Sequence, residues 1–199
     1  MANADDHKTQ MKAVQAKHRE KVAEATDPEQ GLVLVHTGNG KGKSSSAFGV
    51  MVRALGWKQT VGVVQFIKGK WITGERQFFD RLGGVTWHTM GEGFTWDTQD
   101  RDRDIAAAEA AYAKAVEMMA SGDYDLVVLD EINIALRYDY LDVADVIKGL
   151  EQRNKRTGVI LTGRDAKPEL MDYADLVSEM VEVKHPYKAG IKAQRGVDF

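Results

Sequence analysis

The sequence predicts a doubly wound α/β fold, a mostly parallel sheet with helices on both faces, preceded by an N-terminal helical arm. Short apolar segments alternate with helical patterns along most of the chain, which is typical of parallel sheets covered on both faces. A length of 199 residues suits one such domain. A glycine-rich segment follows the first apolar run, at the carboxyl edge of the sheet where such folds bind ligands.

The first 30 residues are predicted to form the arm, and residues 31–199 the domain. The arm has mixed charge and only a thin apolar stripe at helical spacing, which is too narrow to anchor a core helix. We expect it either to fray or to pack on another surface such as a second subunit. The stripe consists of Met11, Val14, His18, Val22 and Ala25, and "TDPEQG" closes the arm with turn residues.

The first half of the domain contains three predicted strands and two predicted helices. The strands are "GLVLVH", "TVGVVQFI" and "GVTWHT". The helices run from Ser44 to Leu55, ended by Gly56, and from Gly74 to Leu82. The glycine-containing, aperiodic segment "MGEGFTWDTQD" is predicted to be a loop.

The second half opens with the clearest helix. Its apolar residues fall on one face, aspartates crowd its start and "SGD" stops it. The strand "YDLVVLDE", the helix "DVADVIKGLEQR", the strand "TGVILTGR" and the short helix "KPELMDYA" follow, and "DLVSEMVEV" is predicted as the sixth strand. The apolar face of the helix that opens this half consists of Ile105, Ala108, Tyr112, Ala115 and Met119.

Net charge, cysteine content and the length of the apolar segments bear on the binding partners and the location of the protein. A net charge of -3 and a pI near 6.0 offer no bulk electrostatic attraction to nucleic acid or to an acidic membrane. The absence of cysteine fits a reducing compartment. No segment has the apolar core of a signal peptide or the length of a membrane span, so we expect a cytoplasmic protein.

The segment "LVLVHTGNGKGKSSSAFGV" predicts a strand, a phosphate-binding loop and a helix. Gly42, Lys43 and Ser44 end the formula G-x-x-x-x-G-K-[ST], but Thr37 stands where its first glycine belongs. Gly38, Gly40 and Gly42 free the backbone N–H groups to wrap an anion. The alternative is a glycine-rich turn carrying two solvated lysines.

A magnesium site is predicted beside this loop. Lys43 would reach phosphate oxygens, Ser44 would place its hydroxyl on Mg²⁺, and "LVVLDE" supplies Asp130 and Glu131 at the end of another strand. The extra cation Lys41 could neutralise a longer or differently laid phosphate chain, or could simply be solvated. The acidic pair could also be no more than a cap for the next helix.

The residues alone leave the chemistry open. A kinase needs a base near the γ-phosphate, and no such residue stands out. What does stand out is "GEGFTWDT", where Phe94 and Trp96 either pin the loop to the core or form an apolar wall over a large planar ligand.

The chain resembles the P-loop class of ATP:corrinoid adenosyltransferases from Gly31 to Phe199. The resemblance is carried, in order, by "TGNGKGKSS", "VGVVQFIKGKW", "GER", "GFTWDTQ", "VVLDE", "YDYL", "LTGR" and "VKHPYKAGIKAQRGVDF". In this family Thr37 is the normal form of the loop. The resemblance implies a P-loop NTPase-like domain that transfers the 5′-deoxyadenosyl group of ATP to Co(I) of a corrinoid and releases triphosphate.

The resemblance also implies roles for individual residues. Lys41 and Lys43 offset the charge of the triphosphate, and Phe94 with Trp96 closes on the lower face of the corrin. Ser44, Glu131 and Asp130 are the expected ligands of Mg²⁺ or Mn²⁺. The residues expected to contact nucleotide or corrinoid are Thr37, Gly38, Asn39, Gly40, Lys41, Gly42, Lys43, Ser44, Ser45, Gln65, Phe66, Lys68, Trp71 and Arg164.

The same resemblance implies a homodimer and a reduced flavin or flavodoxin as electron donor. It leaves open whether the corrinoid is complete cobalamin or a biosynthetic precursor, and whether the reaction serves synthesis or salvage. One alternative is a P-loop kinase of a nucleoside or small metabolite, which would release ADP instead of triphosphate. Another is a non-catalytic ATP-binding switch, which would bind a partner in a nucleotide-dependent way without turnover.

Overall fold

A computed structural model describes residues 4–67, 73–89 and 100–198. Six strands form one sheet in the order β3-β2-β4-β5-β1-β6, and all five neighbouring pairs are parallel. The predicted fold class is therefore confirmed. The strands are β1 Val33–Thr37, β2 Val61–Gln65, β3 Val85–Thr89, β4 Leu126–Asp130, β5 Gly158–Thr162 and β6 Leu176–Glu179.

The helices begin and end where local chemistry predicts. Thr73, Asp100 and Asp142 each accept a backbone N–H at the start of a helix, and Gly122 ends the longest domain helix in a left-handed conformation. The helices are α1 Ala4–Glu24, α2 Lys43–Gly56, α3 Gly74–Leu82, α4 Arg101–Ser121, α5 Ile132–Arg137, α6 Val143–Glu151 and α7 Pro168–Tyr173, with a 3₁₀ turn at Pro186–Ala189.

Helices cover both faces of the sheet, which explains the apolar strands. Leu126 and Val128 of β4 pack with α2 and α3, whereas Val127 and Leu129 pack on the opposite face with α4 to α7. All five residues of β4 are buried. The site thus rests on a rigid centre of the sheet, because β4, β5 and β1 are adjacent strands.

Two expectations need adjustment, and a third, on the arm, agrees with the structure. The sixth strand is shorter than predicted, and the helix α5 directly after Glu131 was not predicted at all. The arm forms a helix, α1, and its apolar residues Met11, Val14 and Val22 are all exposed, as expected of a stripe too thin to anchor a core helix. The division into an arm of residues 1–30 and a domain of residues 31–199 stays a prediction.

Two further expectations concern membrane-spanning helices and the predicted glycine-containing loop. None of the helices in the described ranges has both the length and the apolar character that a membrane crossing requires. The predicted loop "MGEGFTWDTQD" lies outside the described residues, except for Asp100.

Candidate active site

The phosphate loop, defined as Gly38–Gly42, joins the carboxyl end of β1 to the first residue of α2. Gly38 and Gly42 have φ angles of 96° and 113°, which residues with a side chain adopt only with strain. Gly42 immediately precedes α2, and no side chain caps this helix. The first-turn N–H groups are therefore left for an anion, where the helix dipole favours negative charge.

The loop is also tied to the segment that follows β6. Gly40 N donates to Met180 O at 2.6 Å, and Met180 N donates to Thr37 O at 2.8 Å. A Cβ added at Gly38 would lie 2.5 Å from Met180 O, and one added at Gly40 would lie 2.8 Å from it. These two glycines thus allow a close backbone approach to Met180, and the N–H of Gly40 is itself used in that contact. Their spacing in the sequence does not indicate this role.

Lys43 points into the phosphate loop. Its side chain is held by a hydrogen bond from Nζ to Gly40 O of 2.7 Å, and the residue is only 8% exposed. Burial lowers the pKa of this amine, with nearby Arg164 and Lys41 acting in the same direction. Glu131 opposes this shift, so the charged amine and the carboxyl favour each other's ionised form.

Lys41 stands at the exposed mouth of the loop and forms an ion pair with Asp198. Asp198 also accepts a hydrogen bond from Gln194 N at 2.8 Å, and this bond followed by the Lys41 contact lowers the pKa of the Asp198 carboxyl. The C-terminal segment therefore reaches back to the phosphate loop. The sequence offered no signal for this contact, because 157 positions separate Lys41 from Asp198.

The second part of the site is the acidic corner, defined as Asp130, Glu131, Asn133 and Gly163. Asp130 is 2% exposed, and both of its carboxylate oxygens are engaged. Gln65 Nε2 donates to one at 2.9 Å, and Thr162 Oγ1 donates to the other at 2.8 Å. Asp130 thus braces three adjacent strands, which leaves it less free to bind a metal than its neighbour.

Glu131 has the properties of the more available ligand. Its φ of 62° is rare for a residue with a side chain and turns the chain sharply between β4 and α5. Burial, followed by the charge of Asp130, raises the pKa of Glu131 to about 7, against the opposing effects of Lys43 and Arg164. A carboxyl held in this way gains from a nearby cation.

Asn133 and Gly163 complete the corner, and sequence reasoning missed both. Asn133 is fully buried and donates from Nδ2 to Gly163 O at 3.1 Å. A Cβ added at Gly163 would lie 2.9 Å from Asn133 Cβ and 3.3 Å from Glu131 Oε2. Only a residue without a side chain fits between them, which is the reason for the glycine of "LTGR".

The segment that follows β5 is fastened to the end of β1. Gly163 N donates to His36 O at 3.2 Å, and Ala166 N donates to Thr37 Oγ1 at 3.1 Å. Thr37 therefore uses its hydroxyl within the protein, a contact that glycine at this position could not make. The same segment carries Arg164, which is exposed and close enough to influence both Lys43 and Glu131.

The structure brings together most of the predicted residues at one edge of the sheet. Ser44 is half-buried in the first turn of α2, whereas Asn39 and Ser45 are exposed beside it. Gln65 reaches the same edge through its hydrogen bond to Asp130, and Phe66 beside it is buried. The predicted residues Lys68, Trp71, Phe94 and Trp96 lie outside the described residues.

The donor set fits a hard divalent cation bound together with a phosphate. Within the described ranges no three side chains of His, Asp or Glu cluster closely enough to hold a metal by themselves. A hydroxyl from Ser44 and the carboxyl of Glu131 are nevertheless the ligand types that Mg²⁺ uses when substrate oxygens and water complete its shell. Burial, followed by the charge of Asp130, raises the pKa of Glu131 despite Lys43 and Arg164, so a further cation beside it would favour the ionised carboxyl.

Comparison with known proteins gives a consistent result. The model of the family described as ATP:corrinoid adenosyltransferase BtuR/CobO/CobP matches residues 29–199. A corrinoid adenosyltransferase of Pseudomonas aeruginosa is 55% identical over 194 residues, covering 97% of this chain and 95% of that protein. One from Escherichia coli is 46% identical over 179 residues, covering 90% of each.

A solved structure, a KaiC-like protein from Pyrococcus horikoshii, aligns with a TM-score of 0.43 at 15% identity, covering 75% of this chain and 72% of that one. At that level the likeness adds nothing to the fold already described.

Proposed function

The chain belongs to the ATP:corrinoid adenosyltransferase family, and on this premise we propose that it transfers the 5′-deoxyadenosyl group of ATP to Co(I) of a corrinoid. The Co–C bond forms with the electron pair of Co(I), and the bond from C5′ to the triphosphate oxygen breaks. Triphosphate leaves with the electron pair of the broken C5′–O bond, and no proton is removed. The observation that supports this most directly is a glycine loop with a buried lysine, facing an acidic corner, inside the matched residues.

The chain's own contribution is to bind and stabilise the leaving triphosphate. The N–H groups of the first turn of α2 and of the phosphate loop, except that of Gly40, which is bonded to Met180 O, would donate to phosphate oxygens, with Lys43 inside the loop and Lys41 at its mouth. Charge that develops on the leaving group is offset there by groups already in place, so little reorganisation is needed. Thr37, Asn39 and Ser45 frame this cradle, and Arg164 adds a third cation nearby.

We assign Mg²⁺, or Mn²⁺ in its place, to Ser44 and Glu131, with Asp130 orienting the corner from beneath. When bound, such an ion supplies positive charge that favours departure of the triphosphate. A cation bound beside Glu131 would favour the ionised carboxyl and so oppose the effect of burial on its pKa.

Apart from Gln65, the corrinoid side of the site depends on residues that the structure does not describe. Phe94 and Trp96 are proposed to close on the corrin's lower face, and Lys68 and Gln65 to lie near its edge. Their closure would displace the axial base of the cobalt from the lower face, and this displacement would ease reduction of Co(II) to Co(I). A reduced flavin or flavodoxin as donor, a homodimeric assembly and a cytoplasmic location all belong to this proposal.

The deciding experiment is an anaerobic assay of the purified protein with ATP, Mg²⁺ and chemically reduced cob(I)alamin. We expect a light-sensitive adenosyl corrinoid and intact inorganic triphosphate in equal amounts. A precursor corrinoid tested in parallel identifies the preferred substrate. Formation of ADP with an added acceptor, and of no photolabile product, would favour the kinase alternative, for which the relatives offer no support.

A further inference from the structure

A pair of polar side chains lies beneath the phosphate loop and takes no part in the chemistry described so far. His36 precedes the last residue of β1 and is 5% exposed, while Ser46 is half-buried in the first turn of α2. Ser46 Oγ lies 2.7 Å from His36 Nδ1, a short hydrogen bond. The pair joins the strand before the loop to the helix after it.

Both side chains also reach the same backbone group. Ser46 Oγ donates to Lys43 O at 3.3 Å, and His36 Nδ1 lies 3.3 Å from that oxygen. If His36 carries its proton on Nδ1, it donates to Ser46, and Ser46 in turn donates to Lys43. Burial lowers the pKa of His36, which keeps the imidazole neutral and available for this arrangement.

The backbone of His36 adds a third connection. Its carbonyl oxygen accepts Gly163 N at 3.2 Å, so one residue contacts the phosphate loop's helix and the acidic corner. A buried imidazole and a hydroxyl carry a desolvation cost that two apolar side chains would avoid. A specific geometric role for the pair accounts for that cost, whereas simple filling of space does not.

We propose that His36 is a positioning residue, which acts through Ser46 to hold the Lys43 carbonyl and the first turn of α2 in the geometry that binds a polyphosphate. The groups it positions are the N–H donors of that turn and the Lys43 amine, whose hydrogen bond closes the loop onto Gly40. The inference rests on the proposed function only in assigning a polyphosphate to the loop.

The test uses inorganic tripolyphosphate with Mg²⁺ as the probe, and calorimetry to measure its dissociation constant. His36→Phe keeps the size of the ring but removes both nitrogens, and Ser46→Ala removes the hydroxyl. Each should weaken binding by about three- to tenfold, the usual worth of one hydrogen bond. The double variant should lose no more than either single variant, because the two side chains form one unit.

His36→Asn is the matched control, since its amide places a polar atom close to the position of Nδ1. It should restore binding to within about twofold of the original protein. Urea denaturation of every variant separates binding from folding. The proposal is overturned if the variants lose stability while the folded protein binds tripolyphosphate unchanged, or if His36→Asn binds as weakly as His36→Phe.

The outcome is separable from that of the adenosyl transfer assay. Tripolyphosphate binding that responds to His36 and Ser46, without any photolabile product, would support the positioning role and reject the proposed reaction. Transfer activity in all variants with unchanged affinity for tripolyphosphate would reject the positioning role and leave the reaction intact.

Discussion

The phosphate loop and the acidic corner lie at one edge of the same sheet but depend on different parts of the chain. The loop works through backbone groups, and its glycines are required by φ angles and by the close approach of Met180. The corner works through side chains that cross from β2, β4 and β5 to meet at Asp130. The loop should therefore be sensitive to added volume, and the corner to altered charge.

The largest effect is expected from the buried side chain that points into the loop. Lys43→Ala removes a buried cation from the loop, and adenosyl transfer should fall by about 10²- to 10³-fold at saturating ATP, as for loss of one preorganised electrostatic group. Initial rates of the photolabile product measure it. Lys114→Ala on the surface of α4 is the control and should leave the rate unchanged; an equal rate in the Lys43 variant would contradict its role.

Volume added to the loop should cost stability. Gly38→Ala places a Cβ 2.5 Å from Met180 O at a φ of 96°, so we expect a loss of about 3 kcal/mol in the free energy of unfolding. Gly49→Ala, in α2 with open space around it, should instead gain about 0.5–1 kcal/mol. Urea denaturation measures both, and equal effects would show that Met180 does not constrain the loop.

Charge removed from the corner should change the pH dependence of stability. The pKa of Glu131 rises from 4.5 to about 7 on folding, so the folded protein holds this proton more tightly and loses stability as pH rises through that window. Glu131→Gln should therefore be more stable than the original protein at pH 8, by up to about 3 kcal/mol, and the difference should vanish near pH 4.

Denaturation curves across that pH range, with and without Mg²⁺ and tripolyphosphate, measure the effect. At pH 8 a cation at the corner should stabilise the ionised carboxyl of the original protein, and so reduce the difference in free energy of unfolding between it and the Glu131→Gln variant. If the difference in free energy of unfolding stays constant with pH, Glu131 is not the group whose titration changes the stability.

The smallest effect is expected at the mouth of the loop, where the ion pair of Lys41 and Asp198 is partly exposed. Asp198→Asn frees Lys41 for phosphate, and affinity for tripolyphosphate should rise by about twofold at low salt and not at all at high salt. Calorimetry at two salt concentrations tests this, and a decrease in affinity would show that Asp198 holds Lys41 in position.

Much of the site could be predicted because it lies in two short stretches of sequence. "GNGKGKS" and "LVVLDE" each combine a strand end with the chemistry that follows it. Asn133 and Gly163 escaped prediction because their contact spans 30 positions and depends on the register of β4 against β5. The link from Gly40 to Met180 depends in the same way on β6 lying beside β1.

The elements followed the same rule. The strands are continuous apolar runs and the long helices have a periodicity that extends over several turns, whereas α5 has six residues and follows a left-handed glutamate, which no local pattern indicates. The pair of His36 and Ser46 was likewise hidden, since a histidine in an apolar strand gives no indication of the partner it meets across the loop.

The hydrogen bonds of Met180 to Thr37 and to Gly40 of the phosphate loop couple the edge of the sheet to ligand binding. They continue the β1–β6 ladder beyond the last residue of β6, so part of the loop behaves as a further rung of that ladder. A polyphosphate that binds only when these hydrogen bonds are formed must stabilise them by the free energy of its own binding. Amide hydrogens of β6 should accordingly exchange with solvent more slowly when the loop is filled, and the edge strand becomes a reporter of occupancy that needs no corrinoid.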